Sequence, residues 1–152
     1  MGREYPDRPW VGIGCIVFRE GRVLLVRRGK PPRLGQWSLP GGAQHLGEAA
    51  EEAARRELRE EAGIEVGRMV LAAVVDAISR DETGRALYHY TIIDYAAEWI
   101  AGEAQAGDDV SEVAWAALSG LAGFDLTAQT HAAIAAARKA LVTPPLIGAP
   151  PG

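Results

Sequence analysis

Between Gly47 and Gly63 the chain carries one unbroken run of strong helix formers, EAAEEAARRELREEA, whose apolar and acidic residues fall on different sides of a helix. Ala50, Ala54, Leu58 and Ala62 recur at every fourth place and form a narrow stripe, small enough for the helix to lie close on a sheet. Glu57, Glu60 and Glu61 stand at i, i+3 and i+4 and share another face, where like charges repel by about 0.2–0.5 kcal/mol per pair. A cation would relieve them. Carboxylates alone make an all-oxygen site suited to Mg²⁺ or Mn²⁺, and the lack of Cys or His at ligand spacing disfavours zinc. Taken without their surroundings, the acids are better explained as a solvated Glu/Arg helix with ordinary ion pairs.

The surroundings add a register. Gly42 is followed by Glu48 and then by Arg56-Glu57-Leu58-Arg59-Glu60-Glu61-Ala62-Gly63-Ile64. This resembles the Nudix box: a glycine, a glutamate, then Arg-Glu-aliphatic-any-Glu-Glu-any-Gly-aliphatic, with every defining position filled. The resemblance implies that Glu57 and Glu61 are the chief metal ligands, with Glu60 assisting and the Gly41 carbonyl adding a further ligand. It implies catalytic roles for Glu57, Glu60, Arg56 and Glu48, with Arg56 orienting the carboxylates. Glu48 lies nearly opposite Glu57 on an ideal helix, so it can serve only from the lead-in loop, through water or by pairing with Arg56.

Elsewhere the chain sets limits. At 152 residues and 48% hydrophobic it can bury one sizeable core. A net charge of −4 argues against duplex nucleic acid or an anionic membrane as partner. The single Cys15 rules out an internal disulfide and fits a cytoplasmic setting, with no signal peptide and no apolar run long enough to span a bilayer. No P-loop, G-x-S-x-G elbow, H-E-x-x-H or EF-hand spacing is present.

In chain order, residues 1–9 read as a loose polar arm, and Trp10–Phe18 with Val23–Val26 as a hairpin buried on both faces. Gly12 and Gly14 thin one face of its first strand, where a helix or ligand could approach; Cys15 reads as core. Arg27, Arg28 and Lys30 end the hairpin; Arg27 and Arg28 are candidates to clamp a diphosphate, with solvated surface charge the plain alternative. The permissive pair Gly41-Gly42 then brings the backbone close to any ligand, making Gly42 a candidate substrate contact. Val66–Ile78 and Leu87–Ala97 read as a long hairpin, with Tyr88 and Tyr90 on one face, able to stack a base or to pack across strands. Glu98–Glu112 reads as a glycine-rich loop before a strand at Val113–Leu118. Leu126–Leu141 reads as a helix capped by Thr127, and residues 142–152 as a disordered Pro/Gly-rich tail.

This alternation supports an α/β, mixed α+β chain. By resemblance it becomes a Nudix αβα sandwich, a mixed sheet between helices, forming one domain over residues 10–141. The same resemblance implies a metal-dependent hydrolase acting on a nucleoside diphosphate linked to a second group. VLLVRRGK, GQWSLPGG and YHYTIIDY are similar to the ADP-ribose pyrophosphatase-like branch, so ADP-ribose or a nucleotide sugar is the expected substrate. Arg80 stands where one ADP-ribose subgroup has proline, and Gln44 and His45 depart from the aliphatic and acid of many relatives. A nucleoside triphosphate, including an oxidised one, is the alternative, and a non-catalytic nucleotide-binding regulator a third. The resemblance further implies an extra loop acid that assists the metal or acts as base, with Asp108, Asp109 and Glu112 left as candidates and Glu57 the alternative base; the apolar first strand with Trp10 and Trp99 could form a homodimer contact, as the resemblance allows.

Overall fold

The computed structural model describes residues 2–143 and is built on one strand that three others share. That strand, β7 (Ala86–Ala101), pairs parallel with β1 (Trp10–Arg19) and antiparallel with β6 (Val70–Arg80) and the short β5 (Glu65–Val66). Beyond β1 lie β2 (Arg22–Arg28), β3 (Trp37–Ser38), β4 (Gly41–Ala43) and β8 (Val110–Ala117), completing an eight-stranded mixed sheet. Helix α1 (Ala50–Ala62) covers one face; α2 (Ala128–Val142), reached through a 3₁₀ segment at Leu118–Phe124, covers the other.

Strand alternation explains the two cores. Ile13, Cys15 and Val17 of β1 pack with Ala53, Ala54 and Leu58 of α1, whereas Ile16 packs with Ile134 and Ala137 of α2. Burial on both faces is what the apolar run at Trp10–Phe18 required. Helix α2 begins where expected, with Thr127 Oγ1 accepting the Thr130 N–H at 3.1 Å.

Four expectations are corrected. The first hairpin splays: β1 meets β2 only at Phe18–Val23 and Arg19–Arg22, because β1 turns its edges to β7 and β4 while β2 pairs along β8. The face thinned by Gly12 and Gly14 is filled from β7, by Ile92 and Tyr90 beside Gly12 and by the Asp94 carboxylate against Gly14. The segment Glu98–Glu112 is not all loop, because β5 holds Trp99 and Ala101 in β7 and because Glu112 already lies in β8. The arm is not loose over the described residues, since the Tyr5 N–H donates to Leu87 O at 2.8 Å. The tail expected to be disordered lies, from residue 144 onward, outside the described residues.

Candidate active site

Helix α1 starts at Ala50, so Glu48 sits in the loop that leads into it. From there it meets Arg56 side-on: Nε donates to one Glu48 oxygen at 3.1 Å and Nη2 to the other at 2.8 Å. This fork, helped by the His45 N–H at 2.7 Å, holds the Glu48 carboxyl down at about 2. Arg56 also donates to Glu57 at 2.8 Å, to Glu60 at 3.2 Å and to the Ala43 carbonyl at 3.1 Å. One guanidinium thus fixes the loop, the glycine turn and two helix acids together.

The glycine turn decides where the acids point. A Cβ on Gly42 would lie 2.5 Å from a Glu57 carboxylate oxygen, so the buried Glu57 side chain rests directly on bare backbone. Four residues on, Glu61 accepts the Gly41 N–H at 2.7 Å. Burial pushes the Glu61 carboxyl up to about 7; the Gly41 N–H opposes this, and the nearby Glu57 and Asp108 charges add to it. Two acids lining one cavity, Glu57 buried and Glu61 half-buried and reluctant to ionise, are a donor set that a hard cation would complete.

A cavity of about 300 Å³ opens over this pair, lined by Gly41, Gly42, Glu57, Glu61, Asp108 and Asp109 with Arg3, Arg28, His45 and Ser38. The other expected residues fall outside it or are already engaged. Glu60 leans to Arg56 and is 45% exposed, so the three helix acids do not converge. Among the described residues no three Asp, Glu, His or Cys side chains form a ready ligand cluster. Arg27 turns away, donating to Gly35 O at 2.9 Å and pairing with Glu112 at 3.1 Å. Lys30 takes Asp109 at 2.7 Å. Of the three loop acids, Asp108 lines the cavity and has no ion-pair partner among the described residues, in a left-handed backbone with φ 52°. Strand alternation separates Arg27 from Arg28, whose Nε donates to Pro32 O at 2.7 Å while its side chain lines the cavity.

Arg3 was missed by sequence reasoning, and nothing local could have found it. Its place depends on contacts to residues more than eighty positions away, through Tyr90 and Leu87.

A family model for the NUDIX domain matches residues 8–137. The chain belongs to the Nudix family. Its Nudix relatives include an ADP-ribose pyrophosphatase of Methanocaldococcus jannaschii, 34% identical over 74% of this chain and 64% of that protein. They also include a putative 8-oxo-dGTP diphosphatase of Mycobacterium tuberculosis, 38% identical over 64% of this chain and 66% of that one. The chain therefore spans just under two thirds of these relatives' lengths. Among solved Nudix structures, a MutT hydrolase from Burkholderia pseudomallei superposes with a TM-score of 0.74 at 35% identity, covering 85% of this chain and 98% of that one. The Nudix domain of Shewanella oneidensis NrtR, complexed with ADP ribose, gives 0.74 at 26% identity, covering 90% of each. These likenesses agree with the mixed sheet between helices described above.

Proposed function

We propose that the chain hydrolyses the diphosphate linkage of a nucleoside diphosphate joined to a second group, using Mg²⁺ or Mn²⁺, with ADP-ribose or a related nucleotide sugar as substrate. The observation that carries this is the convergence of Glu57 and Glu61 on the Gly41-Gly42 turn, with Asp108 and Arg28 in the same cavity. The oxygen-only donor set fits such an ion, which would also take water and phosphate oxygens as ligands. When bound, divalent ions neutralise the phosphate charge and acidify an attacking water. Glu57 and Glu61, with the Gly41 carbonyl, would hold the ions; Arg56 keeps Glu57 aimed; Arg28 would receive the phosphate. Asp108 takes the proton from the attacking water, because Asp109 and Glu112 are neutralised by Lys30 and Arg27.

The substrate assignment draws on the relative named an ADP-ribose pyrophosphatase and on the NrtR domain holding ADP ribose. A second reading, cleavage of a nucleoside triphosphate to monophosphate and diphosphate, draws on the relative named for 8-oxo-dGTP. The deciding experiment offers ADP-ribose, nucleotide sugars, dinucleoside polyphosphates and dNTPs, 8-oxo-dGTP included, with Mg²⁺ or Mn²⁺ and follows released monophosphate. Preferred turnover of ADP-ribose or a nucleotide sugar supports the first reading. Preferred turnover of 8-oxo-dGTP replaces it by the second, and silence across the panel points to a nucleotide-binding regulator.

A cytoplasmic setting belongs to the same proposal, on the strength of the one buried thiol, Cys15; among the described residues no helix is long and apolar enough to cross a membrane. Trp10 and Trp99, expected at a dimer contact, are each covered by an arginine of the same chain, Arg3 at 4.8 Å and Arg19 at 3.6 Å. Trp10 nonetheless stays 37% exposed, and sedimentation at several concentrations tests for a homodimer through this surface.

A further inference from the structure

The family match begins at residue 8, yet the residues before it are tied to the fold. Tyr5 Oη donates to Asp81 at 2.9 Å, Tyr88 Oη donates to Glu4 at 3.0 Å, and the Arg85 guanidinium lies 4.2 Å from the Tyr5 ring centre. Together with the Tyr5 N–H on Leu87 O, these contacts staple the arm across the β6–β7 turn. Just before the staple, the Arg3 guanidinium lies over the Trp10 ring and donates to Tyr90 Oη at 3.4 Å. From that platform it lines the cavity that holds Glu57, Glu61, Asp108 and Arg28. The ion pairs among the described residues use Arg27, Lys30, Arg56 and Arg59, and Arg3 is in none of them. A guanidinium held by a ring face and a hydroxyl keeps its full charge and most of its N–H donors for a ligand.

We propose that Arg3 is a substrate-binding residue, gripping a phosphate of the diphosphate in the cavity it shares with the helix acids. This rests on the reading of the site given above. Guanidinium is the side chain best matched to two phosphate oxygens, and the stacking on Trp10 restricts the plane in which it presents its donors. The staple positions this side chain: without Tyr5 on Asp81, an exposed arginine on an untethered arm would be spread over many positions.

The test compares the unmodified chain with Arg3→Ala, Arg3→Lys, Tyr5→Phe and Arg8→Ala, the last a charge-matched control on the same arm but outside the cavity. Calorimetry measures ADP binding in the presence of Mg²⁺, and steady-state rates on the best panel substrate separate KM from kcat. Arg3→Ala is expected to weaken ADP and raise KM by about tenfold, with kcat changed much less. Arg3→Lys should recover part of the loss, Tyr5→Phe should raise KM by a smaller factor, and Arg8→Ala should leave it unmoved. If the unmodified chain turns substrate over and Arg3→Ala matches it in KM and in ADP affinity, the proposal is wrong while the hydrolase reading stands. Unchanged KM in Tyr5→Phe overturns the positioning by the staple. Should the unmodified chain neither bind ADP nor cleave any panel compound, the site reading falls and Arg3 falls with it.

Discussion

Glu57 has almost no latitude. Its carboxylate lies on Gly42 on one side and is bonded to Arg56 on the other, so its geometry is set before any ligand arrives. Glu57→Gln keeps the shape and removes the charge; turnover should fall by at least about a hundredfold with the fold unchanged by circular dichroism. Gly42→Ala should reach a similar loss by another route, because the added methyl and the Glu57 oxygens cannot share that space. Asp108→Asn should lower kcat by about a hundredfold with KM little altered, while Asp109→Asn and Glu112→Gln stay within a few-fold. Near-equal rates for all three loop variants would remove Asp108 from its role. Glu61 gives a pH test. Because its carboxyl is raised in the fold from 4.5 to about 7, it favours the metal-free protein fully below 4.5, and that contribution is lost as pH rises through about 7. Melting of metal-free protein should therefore show a downward slope over that window. Glu61→Gln should flatten it, and apparent Mg²⁺ affinity should climb across the same range as the proton is displaced.

At the scale of elements, what the sequence disclosed is what local chemistry controls. Gly63 ends α1 in a left-handed conformation, φ 67°, with its N–H on Arg59 O, as its place after the helix formers required. Thr127 caps α2 by the same kind of short-range logic, and Thr127→Ala should cost about 1 kcal/mol, seen as a lower melting temperature with kcat unchanged. The choice among Arg27, Arg28 and the loop acids was hidden because it depends on strand register. Arg27 stands opposite Glu112 across β2 and β8, and that pairing decides which arginine faces the cavity. The extent of β7 was hidden for a related reason: Ile100 and Ala101 are exposed and carry no turn residue, and it is the pairing of Trp99 and Ala101 with β5 that makes this end strand.

For the whole molecule, the step that closes the fold is the parallel pairing of β1 with β7, Ile13 beside Ile93 and Cys15 beside Tyr95. A parallel pair needs a crossover and leaves no hairpin signature in the sequence, so the β6–β7 hairpin is legible from local pattern while its junction with β1 is not. Removing residues 2–7 should leave a single cooperative melting transition, whereas removal through Gly14 should abolish it, because Ile13 is lost from the core beneath α1. Two melting steps in the shorter truncation would contradict that dependence.

The loop that delivers Asp108 is moored to the end of α1 by its own main chain: the Gln105 N–H donates to Ala62 O at 2.9 Å and the Gly107 N–H to Glu61 O at 3.1 Å. The distance between Asp108 and the helix acids is thus a matter of chain length and not of side-chain identity. Glu103, Gln105 and Ala106 are free to vary without detuning the chemistry, whereas a single inserted residue between Gly102 and Gly107 would throw it out of alignment.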